Sequence, residues 1–501
     1  MNLVQALYKS EIRYGERIAV TDLGTGRTLT YAALAQEARA VGAFLAVQGV
    51  RPGQRIGLIA PNGAGYLVAA FGLLAAGACI VPIASNLAPA EIRRIVTEID
   101  VQGCFCVPDA NAPIGSVRIE AQPVKCSVME GGSCVGFAFH WINRSAPDPE
   151  GFLAMNAAFV RFTSGTTARA RGVVLSHEAT AARVEASNRV LRIDADDRIL
   201  WVLPLAYHFA VTIVSYVRAG AHTVLCPDTL PHVMVDAIRR FDATVLYASP
   251  LHFERLAGLK SQGPLPSLRL TLSTSAPIRP DVIERFEAVH GVPVCQAYGI
   301  IEAGLPCINI RRDGTPPASV GRPVPGYEIA IVDEAGAHLP ASVRGEVMIR
   351  GSGLFSGYYK PWQSFEEIAR DGWLATGDIG SLDDAGALTL SGRKKALISM
   401  GGIKFFPEEV EECINSFPGI KESRVFGRPH AHLGEIPCGE IVPTSDIDLS
   451  ALRKHCLQSL SAYKVPIDFT IVEAVPRSSG GKILRRTLTD SEDAFSSLSR
   501  Q

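Results

Sequence analysis

Paired cysteines are missing from this 501-residue chain. Its 11 cysteines are scattered, no CxxC occurs, and Cys104 and Cys106 are wrongly spaced for a zinc knuckle. That dispersal excludes a disulfide framework and fits buried free thiols in a reducing, cytoplasmic setting. An excess of one charge is missing as well. Lys plus Arg number 49 against 50 for Asp plus Glu, with no block of one sign, which argues against a nucleic-acid backbone as partner. The N-terminus, MNLVQALYKSEIRYGERIAV, has charges interrupting each apolar run, so no signal peptide is expected. One stretch, Tyr66 to Ala84, is apolar for nearly the length of a membrane span. Gly72, Gly77 and Pro82 interrupt it, and its second half, ACIVPI, has β character. A buried helix leading into a buried strand is expected there, without stable membrane insertion. Internal repeats, low-complexity segments and a Walker loop, GxxxxGK[ST], are absent too.

What is present is alternation. Short apolar runs at Arg55–Ala60, Cys79–Ile83, Arg198–Leu203, Thr223–Cys226, Ala243–Ala248 and Leu268–Ser273 read as strands. Helical patterns lie between them, as at Tyr31–Gln48, Thr180–Leu191 and Arg279–His290. Strands alternating with helices predict an α/β fold with mostly parallel sheets. After residue 320 the texture changes to turn-rich β segments, GYEIAIVD, GEVMIRG and GALTLSG, which predict a small antiparallel, barrel-like portion. A further pattern starts at Lys395, with helices expected near Pro407–Asn415 and Leu449–Leu460. Two domains are therefore expected, 1–394 and a small α+β one at 395–501.

The most informative stretch is FTSGTTARARGVVLSH, Phe162 to His177. Its hydroxyl-rich, glycine-bearing loop follows a β-type run, AAFVRF, and such a loop can wrap phosphates with N–H groups and hydroxyls. Further motifs follow in order: LSTSAPI (272–278), QAYGIIEAG (296–304), SVGRPVPGYEI (319–329), GEVMIRG (345–351), GWLATGDIG (372–380), SGRKKALISMGG (391–402), FPEEVE (406–411) and PRSSGGKILRR (476–486). Together they resemble the adenylate-forming superfamily of acyl-CoA synthetases, peptide-synthetase adenylation domains and luciferases, and the resemblance runs essentially end to end.

The resemblance implies a chemistry and a set of roles. A carboxylic acid attacks the α-phosphate of ATP, pyrophosphate leaves, and the acyl-adenylate passes its acyl group to a thiol. Catalysis of that kind is chiefly positioning and charge stabilisation. By the same resemblance Thr163, Ser164, Gly165, Thr166, Thr167 and Arg171 hold phosphates. Glu302 binds Mg²⁺, a hard cation suited to one carboxylate plus phosphate oxygens. Ser275, Ala276 and Pro277 pack the adenine, Tyr298 stacks on it beside Gly299, Asp378 binds the ribose, and Arg393 adds a cationic contact. Lys482 is the expected catalytic residue, with Glu302 and Thr166 beside it, its point charge bridging carboxylate and α-phosphate. Lys395 matches the hinge about which the small, mobile domain turns between half-reactions, and Gly401 and Gly402 match the loop that then faces the thiol.

Several positions depart from the family pattern. Ala168, Ala170, Arg171 and Ala396 replace the usual glycine, proline, lysine and aspartate. Ile301 stands where the family places a threonine beside the magnesium glutamate; losing one such donor can cost about 10²–10³ in rate. The retained Glu302, Asp378, Arg393 and Lys482 favour an active ligase over an impaired adenylate- or acyl-binding homologue, or an enzyme that stops at the adenylate.

The acid is expected between LPLAYHFAV (203–211) and residues 272–303, touching Tyr207, His208, Phe209, Ser273, Gly299 and Gly304. No carboxylate lies in Tyr207–Val211 to pair with an α-ammonium group, so an aryl or fatty acid is expected instead of an amino acid. Either Tyr207 or His208 takes the gate position; His208 reads equally as a polar handle or as a core histidine. His177 is expected to lead into a helix and carries no chemistry. With 15 residues after Arg486, a fused carrier is not expected. The acceptor is coenzyme A or the phosphopantetheine of a separate acyl carrier protein.

Overall fold

A computed structural model describes residues 1–87, 89–106, 124–128, 135–162, 171–259, 262–311, 314–396, 398–400, 403–430, 434–477 and 483–484. The chain divides into two units.

The first unit comprises residues 1–163, 170–329 and 349–374 and is organised by two nine-stranded sheets. In one, Val294–Ile300, Leu270–Ser273, Val245–Ala248, Arg198–Trp201, His222–Leu225 and Ile18–Asp22 lie side by side and parallel. Antiparallel strands close its edges: Gly304–Asn309 and Arg322–Pro323 on one side, Thr28–Thr30 on the other. In the second sheet, Arg55–Ala60 runs parallel to Cys79–Ala84 and Gly103–Cys106, and Cys79–Ala84 runs parallel to Ala157–Phe162. From Ala157–Phe162 the pairing turns antiparallel through Gly172–Ser176 and Gly357–Tyr358. The α/β class expected from alternation is the fold observed, with parallel centres and antiparallel margins.

The apolar stretch from Tyr66 resolves as a helix, Ala64–Ala75, and a strand, Cys79–Ala84. That helix is buried on nearly all sides, and no described helix is long and apolar enough to cross a membrane. It packs closely against the helix Tyr31–Val47 because small residues face each other. A Cβ on Gly72 would lie 2.4 Å from the side chain of Val41, and one on Gly42 would lie 2.8 Å from that of Ala75, so only glycine permits this approach. Thr30 caps the helix Tyr31–Val47 by accepting from the Ala33 N–H, as Ser176 caps His177–Leu191 through the Ala179 N–H. His177 therefore opens a helix, as expected.

The second unit comprises residues 164–169, 330–348 and 375–501. Its five-stranded sheet joins Ile398–Met400, Ile403–Phe405, Gly434–Pro443 and Ile420–His430, with Asp468–Ile471 parallel to Gly434–Pro443. The helix Pro407–Asn415 starts with proline at its first turn, where the missing N–H costs nothing. It buries Val410 and Ile414, four residues apart on one face. The helix Leu449–Ser459 does the same with Leu452 and Cys456. These residues and Ile398, Phe405, Val425, Ile441 and Val465 form a core of their own. The turn-rich strands expected after residue 320 form a four-stranded sheet in the order Tyr327–Val332, Gly345–Gly351, Leu374–Leu382, Leu388–Arg393.

Candidate active site

Parallel strands that lie side by side end on the same edge, and ligands of open α/β sheets bind beyond the carboxyl ends of their strands. In the first sheet that edge carries Trp201, Tyr247, Ser273 and Tyr298, each near the end of its strand. Trp201 and Tyr247 are register partners and stack with ring centroids 5.4 Å apart. His208 meets both edge-on, at 5.7 and 5.9 Å, so it packs on an aromatic wall and is half-buried. Residues 205–219 run as one helical stretch with a π turn at Phe209–Ile213, a distortion common at functional sites. The buried ring of Phe209 contacts Tyr66, Phe71 and Phe159.

The loop after Leu270–Ser273 holds Ser275, Ala276 and Pro277. Ser275 has φ +77°, a left-handed conformation that is rare outside glycine and marks a constrained turn. The Ser273 hydroxyl is buried and lacks a hydrogen-bond partner among the described residues.

Tyr298 is buried on Val294–Ile300, and that strand turns through residues 301–303 into Gly304–Asn309. Gly304 has φ +79°, and a Cβ there would lie 2.9 Å from the Arg183 side chain. Glu302 therefore sits on a tight turn held from beneath. The turn's anchor is Arg183, buried on the helix His177–Leu191. Its Nη1 donates to the Ile301 carbonyl at 2.9 Å, its Nη2 to that of Glu302 at 3.1 Å, and both Nε and Nη2 donate to the Gly353 carbonyl. The carboxylate is held from the other side, where the Tyr358 hydroxyl donates to Glu302 Oε1 at 3.1 Å. Burial, and then the charge of Glu302, push the Tyr358 hydroxyl well above its ordinary range, so it remains a donor. The exposed guanidinium of Arg171 lies over the Tyr358 ring, 5.0 Å from its centroid.

Glu302, Tyr298, Gly299, Gly304, Ser273, the 275–277 loop, Tyr207, His208, Phe209 and Arg171 all lie in the first unit. Asp378 and Arg393 lie in the second, on antiparallel neighbouring strands, paired in register with Arg393 Nε 2.5 Å from Asp378 Oδ1. Asp378 is buried and Arg393 exposed. Lys394 next to it pairs with Glu346 at 2.7 Å. Lys395 and Ala396 belong to a short 3₁₀ turn, Lys394–Ala396. Thr163, Ser164, Gly165, Thr166, Thr167, Ala168, Ala170, Gly401, Gly402 and Lys482 lie outside the described residues.

Two contributors escape sequence reading: Arg183 and Tyr358. Arg183 and Tyr358 act through segments far apart in the chain and give no local signal.

Among the described residues no cluster of three or more His, Cys, Asp and Glu side chains could cage a metal. A single carboxylate such as Glu302 fits Mg²⁺, which keeps waters and substrate phosphates as its other ligands.

A carboxylate fixed on a turn beyond the carboxyl ends of a parallel sheet is an arrangement that suits an α/β enzyme. The chain belongs to the AMP-binding enzyme family: the family profile of that description matches residues 8–359, and the profile for the AMP-binding enzyme C-terminal domain matches 409–482. It is 31% identical to the sulfoacetate–CoA ligase of Cupriavidus necator, covering 93% of this chain and 92% of that protein. It is 27% identical to the long-chain-fatty-acid–CoA ligase of Yersinia pestis, over 98% and 94%. Naringenin synthase of Pestalotiopsis fici is 30% identical over 93% of this chain, which spans 18% of that protein's length. Among solved structures, ATP-bound MatB from Rhodopseudomonas palustris superposes with a TM-score of 0.81 at 25% identity, covering 97% of each chain. The chain is thus an enzyme of the ligase class, and the AMP-forming acid–thiol ligases expected from the motifs are its relatives.

Proposed function

We propose that this enzyme activates a small aryl or acyl carboxylic acid with ATP and transfers the acyl group to a thiol, coenzyme A or a carrier-protein phosphopantetheine. A carboxylate oxygen of the acid attacks the α-phosphorus, forming one O–P bond while the bond to pyrophosphate breaks. The thiol sulfur then attacks the acyl carbon, its proton is lost to solvent, and AMP leaves. Glu302 is the residue that would hold Mg²⁺, which supplies positive charge beside the phosphates. Thr166 and its loop hold the departing phosphates, Asp378 and Arg393 hold the ribose side of the nucleotide, and Lys482 bridges carboxylate and phosphate. Residues 395–501 act as a mobile domain turning at Lys395.

The observation that carries this reading is the seating of Glu302. Arg183 secures its backbone and Tyr358 its carboxylate, at the end of a strand that also presents Tyr298. Such pre-organisation suits a group that meets developing charge. The absence of a carboxylate in Tyr207–Val211 supports an acid without an α-ammonium group.

The test is acid-dependent ATP–pyrophosphate exchange over benzoic, cinnamic, fatty and dicarboxylic acids, with Lys482→Ala as control. Exchange that needs an acid and disappears in the control is expected. ATP binding without exchange for any acid would count against adenylation and favour an impaired homologue.

A further inference from the structure

Arg161 is 6% exposed and lies on the strand Ala157–Phe162, two residues from Phe159 and so on the same face of the sheet. Phe159 packs on Phe209, and Phe209 on Tyr66, which places Arg161 against the π turn Phe209–Ile213. Its Nη2 donates to the Tyr207 carbonyl. The guanidinium acts electrostatically on Tyr66, Tyr207, Tyr247 and Glu302. Among the described residues no carboxylate comes within ion-pair distance of it. The Tyr247 hydroxyl, buried nearby, hydrogen-bonds to the Thr274 side chain.

A buried guanidinium that bonds one carbonyl among the described residues is incompletely compensated by them. Removing such a charge from water costs several kcal/mol unless an anion repays it. Burial, with Arg183 adding its repulsion, lowers its pKa to about 10, which leaves it charged at neutral pH. Five N–H donors in a fixed plane match the two oxygens of a carboxylate or the three of a sulfonate.

Resting on the adenylation reading, we propose that the acid carries a second anionic group, carboxylate or sulfonate, and that Arg161 holds it while the first carboxylate reacts. The pocket then selects short or aromatic acids with an anion at the far end and rejects neutral fatty chains. The aromatic wall of Trp201, His208 and Tyr247 flanks the body of such a molecule.

The experiment compares matched pairs in ATP–pyrophosphate exchange: adipate and terephthalate against their monomethyl esters, and 4-sulfobenzoate against benzoate. The native enzyme is expected to favour the doubly anionic member by at least about 10²-fold in kcat/KM, because a site built for a polar group strongly rejects an analogue lacking it. Arg161→Met should abolish or reverse that preference, and Arg161→Lys should retain part of it, with ATP binding unchanged in both. An equal loss for every acid in Arg161→Met would overturn the proposal and assign Arg161 to the reacting carboxylate or phosphate. A native preference for the neutral members would overturn it as well. If no acid supports exchange, the adenylation reading fails separately. Calorimetric binding of the same pairs to the ATP-loaded protein then decides: a second-anion preference lost in Arg161→Met supports the proposal, and equal binding overturns it.

Discussion

At the scale of single residues, the site depends on how Glu302 is held. A carboxylate on a turn samples several rotamers unless a neighbour fixes it, and the Tyr358 hydroxyl does so from 3.1 Å. Tyr358→Phe keeps the ring beneath Arg171 and removes that one donor. A hydrogen bond to a charged acceptor is worth about 1.5–3 kcal/mol, and partial exposure of the pair reduces this. The Mg²⁺ concentration for half-maximal exchange should therefore rise roughly three- to tenfold, with the melting temperature little changed. An unaltered Mg²⁺ response would show that Tyr358 does not orient the carboxylate. Ile301 offers the complementary case. Its carbonyl is already bonded to Arg183, so its side chain can change while the turn is kept. Ile301→Thr restores a hydroxyl donor next to Glu302 and should raise the exchange rate by about 10- to 100-fold if that donor stabilises charge at phosphorus. No gain would mean that other groups already do this work.

At the scale of elements, the turn 301–303 is secured by a helix and by a segment more than fifty residues further along the chain. Arg183 satisfies three carbonyls, those of Ile301, Glu302 and Gly353, and none of these bonds is to a carboxylate. Arg183→Met would strand the carbonyls of Ile301 and Gly353 at about 1–3 kcal/mol each, while that of Glu302 keeps the Phe355 N–H at 2.8 Å. Denaturant unfolding should therefore show a loss of at least about 2 kcal/mol, and kcat should fall more than KM changes. Gly353 is coupled to the same anchor, since a Cβ there would lie 2.0 Å from the Tyr327 hydroxyl and 2.8 Å from Arg183 Cβ. Gly353→Ala should cost several kcal/mol by overpacking; a near-native melting temperature would contradict this packing. These elements also mark what was legible in the sequence. The strand Arg55–Ala60 forms as read, because an unbroken apolar run bounded by turns has one buried solution. Other strands are trimmed at their ends: Ala243 and Thr244 spend their N–H groups on Ile238 and Arg198 before the ladder begins at Val245. Glu302, Tyr298 and Asp378 could be proposed from the sequence because their motifs are contiguous. Arg183 could not, because a charge on a helix ordinarily reads as solvated, and only the packing of distant segments turns it inward.

At the scale of the whole molecule, the first unit buries histidines as neutral rings, and this makes its stability depend on pH in a definite direction. His177 accepts the Leu3 N–H at 3.1 Å, His222 shares a hydrogen bond with Thr21 at 2.9 Å, and His252 pairs with the Ser249 hydroxyl at 2.7 Å in a helix cap. Burial is the largest cause in each, and it lowers all three to about 4. In the unfolded chain the same groups titrate near their ordinary value of about 6.5. Between these values the unfolded state binds more protons than the folded state, so stability falls as pH falls. The contribution is complete above about pH 6.5 and is lost progressively down to about pH 4. A shift of this size corresponds to at most about 3 kcal/mol per histidine, and total domain stability is only about 5–15 kcal/mol. Acid unfolding should therefore begin while most carboxylates are still ionised. Melting temperatures measured from pH 7.5 to 4.5 should drop steeply below about pH 6, with unfolding taking up close to three protons from these sites near pH 5. His177→Asn keeps an acceptor for the Leu3 N–H and removes one titrating ring, so its uptake should be lower by about one proton and its pH profile shallower. A profile that is flat down to pH 5, or one that His177→Asn leaves unchanged, would mean that these rings titrate with solvent access the fold does not give them.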